Sequence, residues 1–500
     1  RVRMSGAIAH KEEQFIPPPP GEILGHPKAL WMLFGAEFWE RFAYYGMRAI
    51  LAVYVATTFF GHLPEGEANA QAALTYGGYT SLVYATAIFG GFIADRYLGY
   101  QRSILLGGFL MAVGLFMLLS TDLKIFLAGL AVIVAGNGLF KPNISTMIGK
   151  LYAPGDARRD SGFTIFYMGI NAGAFFAPII CATWIGATYG FKYGFLAAGL
   201  GMILGIILFQ IRSGMLGHVG KAPAGREGWG PVLVVLAGSI AIVPLIYFLL
   251  SKSDWLGYVL GFLMLALATY FIVSGIISKD RVQMQRYIAM LILFAANMLF
   301  WALFEQAGSS LNFLARDFVD APFNFTLFQS FNPLFIIALA PLFAMLWPWL
   351  DKRNMNPSIP RKFAVALVGV GFGFFILVMA INAAGPGEKL FWGFLGLTYL
   401  VHTMAELCLS PIGLSMVTKL AAPKEVGMAM GGWFLSIATA NYAAGLIAAI
   451  ASGGGDHGES ASSLSQYAGT FNQLWWLGLI IGAVFFLLAP LINKLMHGVK

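Results

Sequence analysis

Charge is scarce in this 500-residue chain: Asp, Glu, Lys and Arg together make up 11% of it, where a soluble domain carries about 25%. So few charges cannot cover a water-exposed surface of this size, which excludes an ordinary soluble globule. Cysteine is nearly absent, with only Cys181 and Cys408. Each lies inside an apolar run, so both read as packing residues and no disulfide framework is expected. The histidines at 10, 26, 62, 218, 402, 457 and 497 show no His-x-x-His or His-Glu-x-x-His spacing. A metal-dependent membrane enzyme is thereby disfavoured, and neither a metal site nor a cofactor is expected. No repeated polar segment could build a selectivity filter, which argues against an ion channel. Residues 1–28 contain Pro17–Pro20 and no apolar core of a signal peptide, so none is expected.

What is abundant is apolar sequence. Hydrophobic residues form 58% of the chain, the mean hydropathy is +0.75, and 60 glycines offer sites of close helix packing. Runs long enough to cross a bilayer lie at about 30–57, 71–95, 101–120, 123–147, 162–186, 193–212, 230–251 and 254–278. The remainder lie at about 284–309, 327–350, 361–383, 389–418, 424–451 and 468–496. These predict an all-α membrane protein of about fourteen helices. The expected organisation is a tail (1–29), a six-helix bundle (30–213), a linker with two extra helices (214–283) and a second six-helix bundle (284–497).

The net charge of +8 does not point to nucleic acid once its distribution is considered. With the runs alternating across the membrane, 23 lysines and arginines fall on one side and 5 on the other, leaving Arg41, Arg48 and Lys141 within spans. The positive-inside rule makes the first side cytoplasmic and puts both termini there.

The charges inside spans are the informative ones, because each costs about 2.5–3.5 kcal/mol at the bilayer centre and so marks a hydrated, working cavity. Glu37, Glu40, Arg41, Tyr44, Tyr45 and Arg48 recur at helical spacing and share one face of the first span. Lys141 stands in mid-run beside Pro142, and Glu406 is a lone acid in a long apolar run. Glu305 closes the segment Phe300-Trp301-Ala-Leu-Phe-Glu305. These spans therefore carry four acids and three bases, so that one proton would neutralise the cavity. A proton carrier follows as the expectation, driven by about 2.3 kcal/mol per charge per 100 mV of membrane potential.

The segment Glu37-Phe-Trp-Glu40-Arg41-Phe-Ala-Tyr44-Tyr45-Gly46 resembles the first-helix signature of the proton-coupled oligopeptide transporters of the major facilitator superfamily. Phe166-Tyr167-Met-Gly-Ile-Asn171-Ala-Gly173 is similar to a second signature of that family, and Gly91-Phe-Ile-Ala-Asp95-Arg96-Tyr-Leu-Gly99 to the superfamily loop. The resemblance implies a bacterial inner-membrane symporter of di- and tripeptides with H+, functional as a monomer in the lipid bilayer. It further implies that Arg41, Tyr45 and Lys141 hold the peptide carboxylate, while Glu406, with Asn171 and Asn332, holds the ammonium. Tyr44, Tyr84, Trp301, Ser410 and Trp433 would complete the substrate site, although Trp433 and Phe434 could equally be ordinary packing. Asn171 could likewise be an interhelical hydrogen bond.

Glu37, Glu40 and Glu305 are the implied proton sites. Arg48–Glu305 and Lys141–Glu406 are the implied periplasmic and cytoplasmic gate salt bridges. An alternative within the fold is a carrier of nitrate or another small anion or metabolite. Three departures stand out: Gly77 where some relatives have histidine, Ala405 where glycine is usual, and Ala315-Arg316-Asp317, which reorders a common Ala-Asp-Arg and puts a third gate contact in doubt.

Overall fold

The computed structural model describes residues 15–409, 412–453 and 464–499, and among them helix dominates. The first half comprises α1 (Lys28–Thr58), α2 (Glu65–Leu98), α3 (Tyr100–Met117), α4 (Leu123–Lys150), α5 (Arg158–Tyr189) and α6 (Phe191–Met215). Then come α7 (Trp229–Ser251) and α8 (Ser253–Ser278). The second half contains α9 (Arg281–Phe318), α10 (Phe325–Lys352), α11 (Ile359–Ala383), α12 (Trp392–Leu409), α13 (Gly413–Leu420), α14 (Val426–Ala451) and α15 (Leu464–Met496). Twelve of these are apolar enough along their length to count as spans by composition alone. The two other long helices, α1 and α12, are those carrying Glu37, Glu40, Arg41, Arg48 and Glu406, whose charges lower the hydropathy.

Two boundaries differ from the sequence expectation. The run 389–418 is divided into α12 and α13, with Pro411, which can neither donate a hydrogen bond nor continue a helix freely, in the sequence between them. The run 327–350 is likewise not one uniform α-helix. Phe325–Ser330 is 3-10 helix and Pro333 is the third residue of the α-helical part, where its missing N–H costs no hydrogen bond.

Within each half, glycines let helices touch backbone to backbone. A Cβ on Gly107 of α3 would lie 2.5 Å from the Gly136 carbonyl oxygen of α4, and one on Gly114 2.6 Å from that of Gly129. The second half repeats the device, where a Cβ on Gly478 of α15 would stand 2.8 Å from the Leu367 carbonyl oxygen of α11. Because lipid is as apolar as these side chains, close van der Waals packing of this kind, rather than hydrophobic burial, holds the helices together.

The two extra helices are shared out between the halves. α7 packs on α4, and α8 packs on α9 and α14; the two meet each other near their joining turn, where Phe248 and Trp255 are 6.3 Å apart. Polar contacts fix both ends of this insert. The Arg102 guanidinium donates to the carbonyls of Arg226, Glu227 and Gly228. Glu425 accepts hydrogen bonds from Ser274 of α8 and Tyr287 of α9, both at 2.7 Å.

Polar contacts between the halves are concentrated on the face where α1 ends and α2 begins. Asn312 donates to the Ala49 carbonyl (3.0 Å), Ser330 to that of Phe175 (2.8 Å), and the Thr183 and Thr326 hydroxyls are 2.8 Å apart. All hydrogen bonds and ion pairs that join the halves between described residues lie there or at mid-depth. On the opposite, lysine- and arginine-rich face, the basic face, no hydrogen bond or ion pair between described residues joins the halves. Among the described residues, then, the polar links between the halves are confined to one side and the middle, while α2 and α14 pack along each other from Gly66 and Gly453 to Ile88 and Gly431.

Candidate functional site

The polar face of α1 splits into two functional surfaces. Its first part turns inward to its own half: Glu37, Glu40 and Arg41 are 3%, 0% and 4% exposed. Arg41 engages Glu40 through both Nε and Nη2, the latter 2.6 Å from Oε1, and its Nε lies 3.5 Å from Glu37. Asn137 of α4 donates to the same Glu40 oxygen at 3.1 Å, while Glu37 Oε2 is buried without a hydrogen-bond partner. Burying three charges is tolerable because Arg41 is paired with both acids and Glu40 is hydrogen-bonded as well.

The second part faces the other half. Arg48 Nη2 contacts Glu305 Oε2 at 2.5 Å, and its Nε donates to the Tyr76 hydroxyl at 2.5 Å. Tyr45 lies between the two guanidinium groups, its ring centre 5.7 Å from Arg41 and 5.6 Å from Arg48. Tyr44 packs edge-on against Tyr45 and beneath Arg41.

Beneath the Arg48–Glu305 pair is a pocket between the halves. Tyr45, Arg48, Tyr167, Asn171, Gln329, Asn332, Tyr399 and Glu406 supply its polar wall. Phe304, Ile170, Ala174, Pro178, Pro333 and Ile336 supply its apolar one. Asn332 Nδ2 donates to Glu406 Oε2 and to Thr403 Oγ1, each at 2.9 Å. Asn171 spends its Nδ2 on the Tyr167 carbonyl of its own helix, at 3.0 Å. Glu406 forms no ion pair with any described residue.

The structure thus brings Tyr45, Arg48, Asn171, Asn332, Glu305 and Glu406 together around one pocket or at its closed end. Other expected residues sit apart. Lys141 is not paired with Glu406; its Nζ rests 4.0 Å from the centre of the Tyr84 ring. Of the two expected salt bridges, Arg48–Glu305 is therefore formed and Lys141–Glu406 is not. Arg41 is engaged with Glu40 and Glu37 rather than presented to the pocket.

Trp301 donates to Asn297 at 2.9 Å, and Asn297 donates to Ser436 at 2.9 Å. Trp433 is buried against Phe294 and Gly413, which favours the packing alternative for that residue in this state. Ser410 lies outside the described residues. The reordered Arg316-Asp317 pair does reach the other half: Arg316, bidentate to Asp317, donates to Asn69 at 3.2 Å and lies 3.7 Å from Glu65. Asn137, Tyr76, Gln329 and Tyr399 are wall or support residues that sequence reasoning missed. A polar residue within an apolar run was the available signal, though it does not reveal which way the side chain faces.

Two helical bundles enclosing a charged pocket that is closed to one side define a membrane transporter of the major facilitator type. The chain belongs to the POT family: the model of that family matches residues 101–460. A peptide transporter of Yersinia enterocolitica, YePEPT, is 36% identical over 96% of this chain and 97% of its own length. The dipeptide and tripeptide permease B of Edwardsiella piscicida is 32% identical over 96% of this chain and 97% of its own. Among solved structures, a peptide transporter POT variant in complex with alafosfalin superposes with a TM-score of 0.82 at 36% identity, covering 96% of this chain and 98% of that one. A POT family transporter bound to a thioalcohol-conjugated peptide gives 0.81 at 31% identity, covering 96% and 99%.

Proposed function

We propose that this protein imports di- and tripeptides together with protons by alternating access, as a monomer in the bacterial inner membrane. The observation that carries this reading is a complementary pair of charges, Glu406 lining the pocket on one half and Lys141 against Tyr84 on the other, neither of which forms an ion pair among the described residues. A zwitterion of peptide length satisfies both, its ammonium on Glu406 with Asn332 and Asn171, its carboxylate on Lys141. Such a ligand binds most tightly when the halves approach at the basic face, so binding favours the occluded state. A small-anion carrier is the weaker reading, because an unpaired acid in the pocket would repel its cargo.

Proton coupling follows from the α1 cluster. Arg41 is held by Glu40 and Glu37, so protonation of either acid releases part of its guanidinium for the peptide carboxylate. Protonation of Glu305 would in the same way release Arg48 and open the closed face. The bodies that rock are residues 30–213 and 284–497, with 214–283 as the insert. The lysine- and arginine-rich face is cytoplasmic by the positive-inside rule, with both termini on that side.

The test is uptake of labelled dialanine into liposomes with and without an inward proton gradient. The expected result is accumulation only with the gradient, and its near-complete loss in Glu406→Gln. Gradient-independent accumulation, or normal dialanine uptake by Glu406→Gln, would overturn the proposal.

A further inference from the structure

A groove on the lipid-facing side of the second half lies between α11 and α15, far from the substrate pocket. Its floor is made of small residues, Gly369, Gly482 and Ala483, and its walls of Phe372, Phe486 and Leu487. The floor has little room to be otherwise: a Cβ on Gly482 would stand 2.6 Å from Val368 Cγ2 and 3.0 Å from the Ala364 carbonyl oxygen. At its deep end Phe372 packs with Phe375 and Trp475, both ring centres 5.9 Å away, which closes the channel near mid-membrane. At its mouth, on the basic face, stands the exposed Arg361, its guanidinium 5.1 Å from the centre of the Phe486 ring. Arg361 forms no ion pair among the described residues.

We propose that this groove binds an anionic phospholipid, one acyl chain lying between α11 and α15 and the phosphate group on Arg361. Three features select that occupant. First, the depth fits: from Arg361 to Phe372 the helix rises about 16 Å, close to half of a hydrocarbon core of about 30 Å. Second, the polarity fits, since the walls are hydrocarbon and aromatic while the single charge sits at the level of the headgroups. Third, the sign fits, because basic residues at the cytoplasmic ends of helices attract anionic headgroups. Lys494, exposed near the end of α15, adds a second cation at the same membrane surface. A second copy of this chain is a poorer occupant: a two-fold contact through the groove would set one Arg361 against the other.

The experiment is native mass spectrometry of the full-length protein in detergent, titrated with phosphatidylglycerol or with phosphatidylcholine of identical acyl chains. Phosphatidylglycerol is expected to be retained about fivefold more, the advantage that one surface cation confers. Arg361→Gln should bring its retention down to that of phosphatidylcholine. Ala483→Trp, which fills the groove from its exposed side, should lower retention of both. Equal retention of the two lipids by the wild type, or an undiminished preference in Arg361→Gln, would overturn the proposal. A dimer that Ala483→Trp disrupts, without any lipid preference in the wild type, would assign the groove to a second copy instead.

Discussion

Gly77 of α2 and Gly445 of α14 bring the two halves into backbone contact: a Cβ on Gly77 would stand 2.7 Å from the Gly445 Cα and 3.1 Å from the Asn441 carbonyl oxygen. Side chains cannot yield there, because the obstructing atoms are backbone. A histidine at this position, as in some relatives of the family, would force α2 and α14 apart. We therefore expect Gly77→Val to lower dipeptide uptake tenfold or more, with melting temperature and expression close to wild type and Gly77→Ala intermediate. Spin labels on the first turn of α2 and the last turn of α14 should read a longer distance in the valine variant. An unchanged distance with full uptake would show that this contact does not limit closure.

The Arg48–Glu305 pair links the halves at 13% and 8% side-chain exposure, with Tyr76 completing the arginine's hydrogen bonding. Removing one partner of a buried pair costs about 3–5 kcal/mol, because the other charge is left unpaired. Arg48→Gln and Glu305→Gln should each reduce uptake at least tenfold, and the double variant should be less impaired than the two losses combined. Independent, multiplicative losses in a double-mutant cycle would mean that the pair does not act as a unit.

Arg316 makes a weaker version of the same link. It reaches Glu65 at 3.7 Å, and Glu65 is half exposed, so this contact belongs to the class of surface pairs worth about 0–1 kcal/mol. Glu65→Gln should change uptake by no more than about threefold, and less in 0.5 M salt than at low ionic strength. A loss as large as that of Arg48→Gln would make it a principal gate rather than a rim contact.

The fold was legible because bilayer thickness converts apolar run length into helices, and the lysine and arginine distribution checks their alternation. The site was legible only in part. Glu406 announced itself because an acid in hydrocarbon has few uses, whereas Asn332 came only with the family resemblance. The bidentate hold of Arg41 on its chain neighbour Glu40 was not legible, since adjacent residues leave a helix about 100° apart and only the length of arginine bridges them. Nor could helical spacing tell that Glu40 turns toward Asn137 while Tyr45 and Arg48 turn toward the other half. That division depends on where α4 and α9 pack, and pair packing leaves no periodic trace in a sequence whose lipid-facing and buried positions are equally apolar. Arg316-Asp317 shows the converse: its order departs from the family pattern, yet a long side chain still reaches α2.

Glu425, in the turn between α13 and α14, ties the insert to the second half. Burial disfavours its ionised form, but hydrogen bonds from Ser274, Tyr287 and Tyr270 outweigh that cost and hold its carboxyl below the ordinary value of 4.5. A carboxyl whose folded value is depressed stabilises the folded state above its unfolded value and loses that contribution as pH falls through the folded one. Wild-type protein should therefore lose thermal stability on acidification below about pH 4.5, with part of the loss belonging to this residue. Glu425→Gln keeps the shape and removes the charge, so it should melt lower than wild type at pH 7 and lie closer to it at the lowest pH. Because α8 is the element released, limited proteolysis should cut the 278–281 connection faster in the variant. If the melting temperatures of the two proteins differ by the same amount at every pH, the carboxylate is not what anchors α8.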